Sequence, residues 1–242
     1  MNNHYLFIFI ILFSCCSLKG QVVTLGFGPT YIFDKERVSM HPEAKGNGVG
    51  GNDDWLWQVN YEHFLSKNWI VFGRYSKYPI ATLFHFYKEN EGGSTGWNGT
   101  NVHRFDFGIG YNIFSQGNFI VQPNLGLGLQ RSIPDGSEII GNEIPQGIKP
   151  DNFELLNTIK SQAFSNTQLV PIVGVKFGFA FWGRLELFME VQQVFGHKTI
   201  QELRMSYSYK GIVQPEAISY SDGTGRFLSL GLGYRFIKQK SR

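Results

Sequence analysis

The sequence predicts an all-β fold: a transmembrane antiparallel up-and-down β-barrel of about eight strands, following a cleaved N-terminal signal peptide. Three observations carry that reading. Apolar and polar residues alternate strictly, the alternating segments run for about 10–13 residues, and the connections between them alternate between short and long. Val121, Pro123, Leu125, Leu127 and Leu129 interleave with Gln122, Asn124, Gly126, Gly128 and Gln130. Phe105, Phe107, Ile109, Tyr111 and Ile113 interleave in the same way with Arg104, Asp106, Gly108, Gly110 and Asn112. Period two puts successive side chains on opposite faces of a strand, so one face is apolar and the other is polar or glycine.

Taken in order, the chain begins with an unbroken apolar run over residues 5–13 (YLFIFIILF). A helix needs about 20 residues to cross a bilayer, so this run is too short to span one. It fits the apolar centre of a secretory signal, with cleavage between Gly20 and Gln21. Residues 1–20 are therefore set aside as signal peptide and 21–242 as the barrel. Cys15 and Cys16 both fall in the leader, and Leu12-Phe13-Ser14-Cys15 resembles a lipoprotein processing box, so lipid attachment at Cys15 is the alternative to that cleavage. Beyond residue 20 there is no cysteine, which excludes disulfides and thiolate metal sites there.

Strands are expected at 22–33, 54–64, 69–78, 102–114, 119–131, 168–181, 185–195 and 226–237. A tilted membrane strand needs about 9–11 residues, whereas a globular strand averages about five or six. Short turns fall at Ser66-Lys67-Asn68, Ser115-Gln116-Gly117 and Trp182-Gly183-Arg184. Long connections cover 34–53, 79–101, 132–167 and 196–225. Short turns on one rim and long loops on the other are the pattern of an outer-membrane barrel, with the long loops extracellular. Tyr61, Trp69, Tyr111, Phe181, Trp182, Tyr234 and Phe236 would gather near the short-turn rim. Trp55, Trp57 and Tyr75 would lie toward the other, giving two interfacial belts.

With this alternation and loop asymmetry, the last strand, FLSLGLGYRF over 227–236, resembles the small OmpA/OmpX-type barrels. It is similar in particular to the outer-membrane β-barrel families of Bacteroidetes. The resemblance covers the chain after the leader. It implies a Gram-negative outer-membrane location, with lipid as the surrounding partner.

Parity assigns Glu62, Arg104, Asp106, Lys176, Glu186, Glu190 and Arg235 to the barrel interior, among the amides Gln58, Asn60, Asn112, Gln122, Asn124, Gln130 and Gln192. Arg74 joins them if the turn at Ser66-Lys67 holds an odd number of residues. The other parity would set its charge in lipid, at a cost of up to about 2–4 kcal/mol near the midplane. Four cations then face four anions. A hairpin centred on Gly183 sets Lys176 opposite Glu190 and predicts an ion pair between them. The expected lumen is a tube plugged by mutually satisfied polar side chains; a narrow ion path is the alternative.

Chemistry is sparse. The sequence has no basic run for nucleic acid, no Gly-rich phosphate cradle, and no ligand spacing among His41, His63, His85, His103 and His197. No cofactor, metal site or catalytic residue is expected. Hydrolysis of lipid A acyl chains needs a serine beside a histidine base; His103 is the best candidate base, but Phe105 occupies the position where that serine would stand. The expected function is a non-enzymatic outer-membrane barrel whose long loops bind a partner or act in adhesion. The alternatives are a narrow pore, a secretion or transport accessory, and a lipid A-modifying hydrolase. The apolar run 80–87 (IATLFHFY) is unusual for an exposed loop: either the third and fourth strands continue above the membrane, or this loop folds over the barrel mouth. Oligomeric state is not encoded in any feature of the sequence.

Overall fold

The computed structural model describes residues 21–45, 54–88, 91–113, 118–134, 144, 149–157, 159–182 and 184–236. The leader, its cleavage site and Cys15 lie outside the described residues. Alternating segments become strands throughout: β1 (Gln21–Val38), β2 (Asp54–Phe64), β3 (Trp69–Lys88), β4 (Glu91–Tyr111), β5 (Phe119–Pro134), β6 (Phe153–Leu155), β7 (Lys160–Ala163), β8 (Thr167–Phe181), β9 (Leu185–Val194), β10 (Gln201–Met205), β11 (Tyr207–Tyr209), β12 (Ile212–Val213) and β13 (Ala217–Arg235).

Eight of these close a ring in the order β1-β2-β3-β4-β5-β8-β9-β13, and β13 pairs back onto β1 with Val22 opposite Arg235 and Thr30 opposite Phe227. Closure removes every free edge within the ring. At that seam the strands approach so closely that a Cβ on Gly28 would sit 1.9 Å from the Leu228 carbonyl oxygen, and one on Gly231 1.9 Å from that of Leu25. Both described chain ends meet on the short-turn rim, where the Phe236 amide donates to the Gln21 carbonyl at 3.1 Å.

The ring is apolar outside and polar inside. Phe107 is 67% exposed and Leu127 50%, whereas Arg104 and Asp106 are 0% exposed. Leu25, Phe27, Phe177, Leu187, Met189, Leu230 and Leu232 continue the apolar exterior around the ring. A continuous apolar belt of this extent does not occur on monomeric water-soluble proteins and requires a hydrocarbon solvent. Trp69 stacks edge-on with Tyr111, and Phe181 with Trp182, at the short-turn rim; Trp57 stacks with Tyr75 at the other. Phe64 lies opposite Ile70, so the β2–β3 turn contains an odd number of residues and Ile70, Phe72 and Arg74 face inward.

The long connections depart from expectation. In segment 79–101, expected as a connection, the first of the two readings of the run 80–87 holds: β3 and β4 run on through a register shift at Ile80/Ala81 until Lys88 faces Glu91. β3 has 20 residues and β4 has 21, roughly twice what a bilayer crossing needs. At about 3.3 Å per residue the surplus projects some 30 Å beyond the membrane. β1 and β13 also continue past the ring, with Asp34 opposite Ser221 and Val38 opposite Ile218. β10 pairs with the β13 extension and β7 pairs with β10, while β6, β11 and β12 form a separate three-stranded sheet. The segments expected as loops at 34–53, 132–167 and 196–225 thus contribute strands to a folded cap.

Candidate functional site

The lumen is stacked in tiers. Nearest the short-turn rim, Lys176 Nζ lies 2.7 Å from Glu62 and 2.7 Å from Glu186, and Arg235 reaches Glu186 at 2.8 Å. Above this, Arg74 bonds Glu190 at 2.6 Å and approaches Asp106 at 3.7 Å, and Arg104 bonds Asp106 at 2.8 Å. Amides join the groups: Asn60 donates to Glu62, Asn124 to Glu190, and Arg104 to the Gln192 oxygen. All eight expected lumen charges, Glu62, Arg74, Arg104, Asp106, Lys176, Glu186, Glu190 and Arg235, are buried inside the ring. They make two clusters, each of two cations and two anions.

One expected contact is corrected. Lys176 does stand opposite Glu190 in the β8–β9 ladder, yet it pairs with Glu62 and Glu186, while Glu190 pairs with Arg74. Ladder position fixes neighbours along the wall of the tube. Long side chains in a narrow bore reach across it, and that choice depends on strands far away in sequence.

Toward the end that carries the cap the lumen turns apolar. Ile32, Leu56, Tyr78, Ile80, Val102, Val170, Ile172, Val194, Ile200 and Phe227 form one buried cluster. The guanidinium of Arg104 lies 4.9 Å from the Phe227 ring centroid and 5.5 Å from that of Tyr78, so a cation–π contact joins this tier to the charges below. The sequence led to the expectation of a wholly polar plug, and the apolar tier corrects it. Parity was the one sequence signal for this tier, and the equally apolar lipid-facing rows hide it.

The cap carries a core of its own. Met40, Ala44, Phe84, Phe86, Ile144, Phe153, Ile159, Leu203, Met205, Tyr207, Tyr209 and Ala217 pack together, with Leu155 against them. Phe86 meets Phe153 edge-on, and Phe153 stacks on Tyr207. Salt bridges clothe its surface: Lys35–Asp222, Arg37–Glu202, Lys45–Glu36, Arg204–Glu202 and Lys210–Glu43. At the tip Lys210 and Gly211 both adopt positive φ, 52° and 75°, forming the tight turn that presents β12. Ile212 and Val213 there are 66% and 69% exposed.

Within the cap, Asp34 is a half-buried carboxylate. One oxygen accepts the Leu83 amide at 3.0 Å, and burial pushes its pKa up to about 7 against the lowering effect of that bond. His85 is shifted down, chiefly by burial.

His103 stands at the outer rim with its Nδ1 2.6 Å from the Tyr75 hydroxyl; its cross-strand neighbours are Lys77 and Arg131. No serine pairs with it among the described residues. No group of three or more His, Cys, Asp or Glu side chains converges among the described residues either. A closed ring with an apolar belt, aromatic rims and a charge-filled bore has one setting. The architecture is that of an outer-membrane β-barrel.

No family model matches this chain, and no curated protein matches it in sequence. Among solved structures it is similar to the outer-membrane protein OprG of Pseudomonas aeruginosa, at 11% identity and a TM-score of 0.45, covering 90% of this chain and 96% of that one. It is similar to the Neisserial surface protein A at 12% identity and a TM-score of 0.45, covering 89% and 97%. A major outer-membrane protein of Thermus thermophilus aligns at 13% identity and a TM-score of 0.46, covering 90% and 98%.

Proposed function

We propose that this chain is a non-conducting, non-enzymatic outer-membrane barrel whose task is to hold a folded extracellular cap against a protein partner. The observation that carries this reading is the separate apolar core of the cap. Passive connecting loops need no such core, and its burial spends sequence that a simple pore would not require. Closure of the lumen by two ion-pair clusters and an apolar tier supports the non-conducting part. The Tyr75 contact of His103, in place of a serine, speaks against acyl hydrolysis. The exposed Ile212 and Val213 at the tip of β12 mark the surface for contact, because an unpaired edge strand with apolar side chains recruits another chain.

Two measurements test this. Refolded protein in planar bilayers should show no discrete conductance steps; steady single-channel currents would replace this reading with the pore. A photo-crosslinking residue placed at position 212 in intact cells should yield a discrete protein adduct, and the same residue at position 67 on the opposite rim should not. Equal labelling at both positions would remove the cap from the function.

A further inference from the structure

We infer that the barrel carries, on its lipid-facing side at the extracellular rim, a binding site for the phosphate of an outer-leaflet lipid headgroup, formed by Lys77, His103, Arg131 and Lys198. This rests on the outer-membrane reading above and names a lipid ligand for a surface that reading leaves unassigned.

The site follows from register. Lys77 on β3 is opposite His103 on β4, His103 is opposite Arg131 on β5, and Arg131 is opposite Thr167 on β8. Lys198 extends the row, because its Nζ donates to the Thr167 carbonyl at 3.0 Å. Three basic side chains thus stand side by side on adjoining strands, which lie about 4.8 Å apart, and Lys198 joins them from the connection after β9. Lys77, His103 and Arg131 lie on the outward parity of their strands, and Lys198 is exposed.

Lys77 and Arg131 flank the His103 imidazole on either side, and the row contains no counter-charge among the described residues. Lys77, Arg131 and Lys198 have no carboxylate partner among the described residues. The cap treats its cations in the opposite way: Lys35, Arg37, Lys45, Arg204 and Lys210 each hold a carboxylate. An anion supplied from outside would relieve the row. In the tautomer where the Tyr75 hydroxyl donates to His103 Nδ1, the ring proton stands on Nε2 as a further donor. A guanidinium fork, an ammonium and an imidazole N–H together match the oxygens of a phosphate.

The position selects a lipid over a free ion. Two residues down the same strands, on the same face, lie Phe105, Leu129 and Leu169, all exposed on the apolar belt. A molecule whose phosphate meets the cationic row and whose acyl chains lie on that belt satisfies both surfaces at once.

The test uses full-length protein folded in neutral detergent, titrated with bisphosphorylated lipid A, with lipid A stripped of its phosphates, and with inorganic phosphate. Phosphorylated lipid A should bind saturably. Removing its phosphates, or making the double substitution Lys77→Gln with Arg131→Gln, should weaken binding about tenfold or more, as loss of charge-assisted hydrogen bonds implies. Lys67→Gln with Arg184→Gln, which removes the same charge from the opposite rim, should change nothing. Folding of each variant is checked by gel mobility before and after heating. Undiminished binding by the Lys77/Arg131 variant, or indifference to the lipid phosphates, overturns the site. Displacement of the lipid by an equal concentration of inorganic phosphate overturns the lipid assignment. Failure of the wild-type protein to float with lipid vesicles would instead defeat the outer-membrane reading itself, and the lipid site with it.

Discussion

The membrane ring and the cap are built by some of the same strands with opposite chemistry. On β3 the even-numbered residues from Ile70 to Phe86 face inward. They read Phe72, Arg74 and Ser76 in the bore, Tyr78 and Ile80 at the mouth, and Phe84 and Phe86 in the cap, all buried. The strand does not change its parity; its surroundings change. Where hydrocarbon lies outside, the apolar residues are spent on the exterior and the interior collects charge. Where water lies outside, the interior takes the apolar residues and charges move to the surface in pairs. One geometric rule therefore gives two inverted distributions in a single molecule.

The largest effect should come from Lys176→Met, which strands Glu62 with only its Asn60 hydrogen bond inside the bore. Removing one partner of a buried ion pair costs about 3–5 kcal/mol. Urea unfolding of the barrel in lipid vesicles should show this loss, and adding Glu62→Gln should restore part of it. If the single variant were neutral, the lower cluster would not be holding the ring. Phe86→Ala, in the other region, should cost a comparable amount, about 3–5 kcal/mol, but locally. Hydrogen exchange should rise in 201–209 and stay unchanged in 170–178. Matching increases in both segments would show that cap and ring unfold as one unit.

Leu127→Arg, on the apolar belt, should destabilise the ring by about 2–4 kcal/mol near the midplane and leave exchange in the cap unaltered. The smallest effect is a pH dependence confined to the cap. The folded pKa of Asp34 lies near 7, above the unfolded value of 3.8, so its contribution to stability is complete below pH 3.8 and is lost as pH rises through 7. Limited proteolysis of the cap should accelerate from pH 5 to pH 7 in the wild type and show a weaker trend in Asp34→Asn. Equal trends in both would assign the titration to another group.

Much of the ring was legible in the sequence because a single environment acts on each face. The second strand was expected at 54–64 and occupies Asp54–Phe64; the hairpin register that sets Lys176 against Glu190 was also readable. The upper ends of the strands were only half legible: the apolar run 80–87 offered a projecting sheet as one of two readings, while glycine, serine and charge in 91–101 look like loop composition whether or not the backbone is paired. The cap core escaped notice for a related reason. Met40, Phe84, Phe153 and Leu203 come from separate connections, and none of these alone presents enough apolar surface to announce a domain.

What the sequence determined by itself was local and periodic. Two-residue alternation over long segments specified strands, their inward and outward faces and the ring they close, because each strand responds to the same lipid and the same bore. What only the tertiary structure decided was which distant residues meet: Lys176 with Glu62 across the lumen, Phe86 with Phe153 in the cap, and Lys77, His103, Arg131 and Lys198 along the outer rim. Those contacts depend on strand order, stagger and closure. Such quantities arise from the whole chain pairing at once, and no single segment encodes them.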